Sequence, residues 1–279
     1  MKNIFGVNMT LSEENAIIDW RMFLSARIPE EQQKAIDGFE EDADELNEKA
    51  QLPKPLRVLK TAAGMAALLC LLIFARLLDD EGAEPLYWLL IPAAVGGAVF
   101  LLLFVLEHRR GKDMVESRDF ARFEETADRI DRESRAILGI PADAASIDIF
   151  GYAYKLKKGK EKPLTTLFDY INLDLFIFRD GDALCLADHT NKYTFPLATL
   201  TGIRRIDKRV RFPEWNKAEA HHKEPYKSFK IGYYDEVYSV KPYYALDMLR
   251  DGEEYTLLFP SYELATIESL TGLKAPEKD

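Results

Sequence analysis

The chain has 279 residues and a formal net charge of −10. That length suits one ordinary domain with helical accessories, and the acidic balance argues against a general nucleic-acid binder, whose phosphate contacts need a basic surface. The only cysteines are Cys70 and Cys185, so neither a disulfide framework nor a cysteine-rich zinc site is encoded.

The N-terminal stretch, residues 1–52, is expected to be a helical segment on the cytoplasmic side. Residues 12–27 place Ile17, Trp20 and Leu24 on one face, the pattern of a short amphipathic helix that docks on protein or lies on a membrane. Residues 30–50 form a more polar helix with a stripe of Ile36, Phe39, Ala43 and Leu46. Pro53 and Pro55 then break the chain.

Two apolar blocks follow, residues 57–78 and 86–106. Each is roughly twenty residues long, which at about 1.5 Å per residue spans a hydrocarbon core of about 30 Å. The second block holds no charge; the first has Lys60 and Arg76 near its ends, where long side chains reach the interface. Neither block has the polar face that a soluble hairpin needs. Lys54, Arg57 and Lys60 precede the first block, and His108, Arg109, Arg110 and Lys112 follow the second. The connecting turn carries Asp79, Asp80, Glu81 and Glu84. The positive-inside rule therefore predicts a multi-pass protein of the cell membrane with both termini cytoplasmic. Ala63 and Ala67, Ala93 and Gly97, and Ala94 and Ala98 are spaced four apart, as in helices whose backbones approach closely.

Residues 107–140 are expected to be a cytoplasmic linker or stalk. Within it, helix 113–138 carries the stripe Phe120, Phe123, Ala127, Ile130 and Ile137. Its arginines complement the acidic helix 30–50, and the two helices pack together as a stalk or separately on the soluble domain. Gly139 and Pro141 end it.

From residue 146 the period changes. Strands are predicted near 147–157, 172–179, 183–188, 192–196, 202–211, 227–234, 243–250 and 253–259. Asp-Gly at 180–181 and 251–252 marks two hairpins. Ser261 is the expected N-cap of a last helix that ends at Gly272. The fold class is thus α+β: a two-helix transmembrane hairpin, flanking helices, and a β-barrel over 146–273 capped by one helix.

The hydrophobic hairpin, the strand–DG–strand unit in LDLFIFRDGDALCLADHTNKYTFPLATLTGIRRI and the strand that leads into FPLATLTGIRRI together resemble the bacterial membrane-anchored pleckstrin-homology-like proteins of the YcxB-like kind. The resemblance covers about residues 57–272, and the chain departs from it in its N-terminal extension and the insertion FPEWNKAEAHHKEPY. It implies a membrane-linked binding or scaffolding module rather than an enzyme.

Two basic clusters are candidate binding residues. Lys155, Lys157, Lys158, Lys160 and Lys162 crowd the connection between the first two strands, where clustered ammonium groups attract anionic lipid. Arg205, Arg209 and Arg211 are expected to share a face of strand 202–211 and to meet lipid, an acidic partner or the acidic helix at 37–48. His221 and His222 are adjacent and point apart, so no metal site is predicted. No nucleotide-binding, metalloprotease or nucleophile-elbow motif is present, and no cofactor is implied. The expected partners are the bilayer, a protein partner or a second copy, and anionic lipid, but not nucleic acid. An alternative is an oligomeric membrane component whose hairpin is the functional part and whose β domain regulates it.

Overall fold

The computed structural model describes residues 2–8, 21–79, 86–213, 215, 226–229, 231–234 and 237–276. The chain forms two compact units, one of Met1–Pro29 with Glu133–Asp279 and one of Glu30–Arg132.

The second unit is helical. Helix α1 (Glu30–Ala50) is followed by α2 (Lys54–Asp79), a 3-10 turn at Tyr87–Leu89, α3 (Leu90–Val115) and α4 (Arg118–Leu138), the last of which runs on into the first unit. Helices α2 and α3 pack along a seam of small residues. A Cβ on Gly96 would lie 2.8 Å from the Ala63 carbonyl oxygen and 3.2 Å from the Ala67 methyl, so glycine sets how closely the backbones approach. Gly97, expected on this seam, has nothing within 4 Å of such a Cβ; the buried positions are Ala93, Gly96 and Leu103. The Lys60 ammonium is held by the Glu107 carboxylate, and Arg110 donates to the Gln51 carbonyl at 3.4 Å.

Away from the seam the apolar side chains face outward. Ile91 is 68 % and Leu102 62 % exposed. A core helix of a soluble protein would bury such side chains, at about 1.5–3 kcal/mol each. Both helices are long and apolar enough to cross a membrane.

Phe39 of α1 stacks on Phe123 of α4 with ring centroids 4.2 Å apart, so the two predicted stripes meet there. Ile130 is buried and Ile36 half-buried. The α4 stripe then turns to Ser134 and Leu138, and Ile137 is exposed. Residues from Glu133 onward belong to the first unit, whose core, not the helix pair, selects the buried face.

The first unit is built on an eleven-stranded sheet. Its strands are β1 (Lys2–Asn3), β2 (Gly6–Asn8), β3 (Leu24–Arg27), β4 (Ala145–Lys157), β5 (Lys160–Pro163), β6 (Ile171–Asp180), β7 (Ala183–Ala187), β8 (Asn191–Pro196), β9 (Leu200–Ile206), β13 (Tyr243–Arg250) and β14 (Glu253–Pro260), while β10 (Val210–Pro213), β11 (Gly232–Tyr234) and β12 (Val237–Val240) form a separate small sheet. The order of the large sheet is β3-β8-β7-β6-β4-β14-β13-β9. Its two ends, β3 and β9, are not joined among the described residues, so the expected closed barrel is an open sheet. The 250–253 hairpin forms as predicted, with positive φ at both Asp251 and Gly252 as a type I′ turn requires.

Of the N-terminal segment expected to be helical, Glu30–Ala50 is a helix, Arg21–Phe23 is a 3-10 turn, and Lys2–Asn3 and Gly6–Asn8 are strands. Strand β1 pairs in parallel with β14 and β2 with β4. Where this segment enters, β4 and β14 pair with each other only at Phe150 and Leu258. Ile4 and Phe5 lie between the two short strands and are buried in the main core with Ile147, Leu186 and Phe259. Leu24–Arg27, expected to end a helix, is a strand on the outer edge of β8. Residues 12–20 of the predicted amphipathic helix, the acidic turn at 80–85 and His221 with His222 lie outside the described residues.

Helix α5 (Leu264–Thr271) buries Ile267 in the same core and ends at Gly272. Ser261 does not cap it: it opens a 3-10 turn, Ser261–Glu263, and Glu263 occupies the N-cap position without a side-chain capping bond.

Candidate functional site

The first basic cluster is an ordered hairpin. Lys158 and Gly159 both have positive φ, 54° and 71°, so they form a two-residue turn between β4 and β5. Lys155 faces Lys162, Leu156 faces Glu161 and Lys157 faces Lys160. Side chains alternate along a strand, so Lys155, Lys157, Lys160 and Lys162 share one face of the ribbon. Like charges directly opposite each other destabilise a strand pair. Two such pairs are retained here, and among the described residues these lysines form no ion pair that would offset the repulsion. The other face carries Leu156, 42 % exposed. Lys158 sits in the turn itself.

The second cluster is divided between two sheets. Arg205 lies on β9, Arg211 on β10, and Arg209 in the connection between them, so the three do not share a strand face. Residues 207–209 break the expected strand because the chain leaves the large sheet there to start the small one. Arg205 pairs with Asp207 at 3.0 Å, and Arg209 donates to the Ser239 hydroxyl at 3.2 Å. Arg211 grips Asp169 through its backbone N–H, Nε and Nη2, and also donates to the Thr166 carbonyl at 3.2 Å. The neighbouring Arg204 makes two 3.0 Å bonds to Asp247. These guanidinium groups tie strands and loops together, whereas the hairpin lysines are uncommitted.

A cleft of about 420 Å³ runs beside α5 between Arg205, Lys241, Tyr244, Tyr262 and Leu264. Near it lies a buried polar network that sequence reading missed. Asp148 on β4 is fully buried. Its carboxyl oxygens accept from Trp215 Nε1 at 2.8 Å, the Tyr262 hydroxyl at 2.9 Å and Asn172 Nδ2 at 2.8 Å. Its backbone N–H donates to Glu263 Oε1 at 3.1 Å. The only sequence signal is an Asp at a core-facing position of an apolar strand. Its partners lie 24 to 115 residues away, and nothing in their spacing announces them. The network is buried apart from the half-buried Asn172, and it joins β4, β6, Trp215 and the start of the terminal helix, which is the work of a structural network.

No group of three or more metal-ligating side chains occurs among the described residues. His189 stands edge-on to Phe176 at 5.9 Å. No family model, no curated protein and no solved structure matches the chain.

Proposed function

We propose that this chain is a two-pass membrane protein whose β unit is a pleckstrin-homology-like interaction module binding an anionic surface through the β4–β5 hairpin. The membrane reading is supported by two long helices with outward apolar side chains. The basic flanks, Lys54, Arg57 and Lys60 before α2 and Arg109, Arg110 and Lys112 at the end of α3, support cytoplasmic termini. The pleckstrin-homology-like layout is supported by the strand order. A four-strand meander, β4-β6-β7-β8, and a three-strand meander, β9-β13-β14, are joined by the first and last strands, and a terminal helix packs on the core between them. This layout is argued by analogy of fold, so the function is argued from the site.

The observation that carries the binding reading is the lysine face of the hairpin. Folding alone gives no reason to set Lys155 against Lys162 and Lys157 against Lys160; an anionic surface laid on that face turns the repulsion into attraction. The groups are exposed ammoniums on a ribbon with no enclosed pocket, which fits a charged surface better than a single small ligand, and fits binding better than catalysis.

Full-length protein in phosphatidylcholine nanodiscs, mixed with phosphatidylserine-containing vesicles, tests this by co-flotation. Binding is expected at low salt and lost at high salt. Each lysine replaced by Ala should weaken it roughly fivefold, while thermal stability does not fall. Undiminished binding by the K155A/K157A/K160A/K162A variant would overturn the assignment.

A further inference from the structure

The cleft beside α5 brings two kinds of side chain to one space. The rings of Phe229, Tyr262 and Pro242, with Leu264, give it an apolar side. The Phe229 and Tyr262 rings meet at 70° with centroids 6.0 Å apart. Arg205, Lys241, Ser261 and Glu268 supply the polar side. About 420 Å³ is room for a small molecule, and all of these residues belong to the first unit.

The charges decide the sign of the ligand. Arg205 is held by Asp207 through Nε and Nη2. Glu268 accepts from the Lys274 ammonium at 3.0 Å and from the Ala275 N–H at 2.8 Å. The buried carboxylates of Asp148 and Glu263 do not line the cleft and are bonded in the network behind Tyr262. Lys241 is exposed and forms no ion pair among the described residues. The uncompensated charge lining the cleft is therefore a single positive one.

A second, independent observation points the same way. Ser261 is only 8 % exposed, and its Oγ is buried without a hydrogen-bond partner among the described residues. A buried hydroxyl is costly to leave unbonded, and folded proteins rarely do so. Ser261 opens the turn that leads into α5, at the positive end of the helix dipole. An ammonium and a hydroxyl at a helix start are donors that suit a carboxylate. The aromatic rings beside them suit a flat apolar body.

We propose that this cleft binds a small aromatic carboxylate, with the carboxylate on Lys241 and Ser261 and the ring against Phe229 and Tyr262. The site is separate from the lysine hairpin and does not depend on the function proposed for it.

The test irradiates full-length protein in phosphatidylcholine nanodiscs with para-azidobenzoate and maps the labelled peptides by mass spectrometry. Label is expected within residues 226–229, 241–244 and 261–268. Excess benzoate should remove it, and the neutral benzamide should not. Saturation-transfer NMR of benzoate then compares affinities. Lys241→Gln should weaken binding about tenfold and Ser261→Ala about fivefold, while the K155A/K157A/K160A/K162A variant binds benzoate like the native chain. Ser261→Ala also separates a ligand role from a structural one. Removing an unbonded hydroxyl should leave the melting temperature at or above the native value, whereas a fall would show that the hydroxyl is bonded within the fold. Label spread over the protein, equal competition by benzamide, native affinity in Lys241→Gln or a lowered melting temperature in Ser261→Ala overturns the proposal.

Discussion

Among single residues, Asp148 has the most at stake. It is fully buried, and its carboxyl group is the shared acceptor of an indole N–H, a phenol and a carboxamide. A buried donor left without an acceptor costs about 1–3 kcal/mol. Asp148→Asn places an NH2 group among these donors, and should destabilise the β unit by about 3–5 kcal/mol. Tyr262→Phe removes one donor and leaves the others in place, so its cost should be about 1 kcal/mol. Thermal or denaturant unfolding of the two variants checks the order. The same network gives a pH signature. Burial, and then a neighbouring carboxylate, Asp148 for Tyr262 and, outside this network, Asp188 for Tyr193, push both phenols far above their ordinary value. Above pH ~10 the unfolded chain loses these protons and the folded chain keeps them, so the folded state binds more protons and stability falls as pH rises. The slope is about 1.4 kcal/mol per pH unit for each tyrosine. Unfolding measured from neutral to strongly alkaline pH should show the decline, and Y262F should flatten it. A decline of the same slope in that variant would remove Tyr262 from the account.

At the scale of elements, legibility followed periodicity. Strands with clean alternation, such as Tyr244–Leu246–Met248 against Tyr255–Leu257–Phe259, were readable because each face has one environment. The two long apolar helices were readable because composition alone marks them. The N-terminal strands were not: β1 and β2 hold two and three residues, too few to carry a period, and their partners lie about 250 and 150 residues downstream, respectively. Gly97 was misassigned for a related reason, since spacing identifies small residues but not which of them the other helix touches. The N-terminal strand makes a specific prediction. Ile4 and Phe5 are fully buried in the main core, and the Tyr152 N–H donates to the Phe5 carbonyl at 2.8 Å. Phe5→Ala should cost about 3–5 kcal/mol. A fragment of residues 133–279 should fold poorly, and residues 1–29 joined to it by a flexible linker should restore a dispersed amide spectrum. A well-folded 133–279 fragment would show that the strand is an ornament on a finished core.

For the whole molecule, the proposed membrane reading turns on which side of the bilayer each part would occupy. The sign is set by charges at the two ends of the helical hairpin. At one end, Lys54, Arg57 and Lys60 of α2 stand with Arg109, Arg110 and Lys112 of α3, joined by the Lys60–Glu107 pair and by Arg110 on the Gln51 carbonyl. At the other, the sequence of the connecting turn is acidic. Lys and Arg near the ends of spans are held on the cytoplasmic side, while Asp and Glu contribute little. The prediction concerns Glu81→Cys and Lys158→Cys in chains with Cys70 and Cys185 replaced by Ala. On intact cells an impermeant thiol reagent should label only the first, and permeabilisation should make the second reactive. A stricter version moves the charges. Replacing Arg109, Arg110 and Lys112 by Ser and placing three lysines in the turn should make a fraction of chains insert the other way round, with Lys158→Cys labelled from outside. If the native chain already shows that labelling, the hairpin enters the membrane with its acidic turn inside. The lysine hairpin would then face away from the anionic inner leaflet it is proposed to bind.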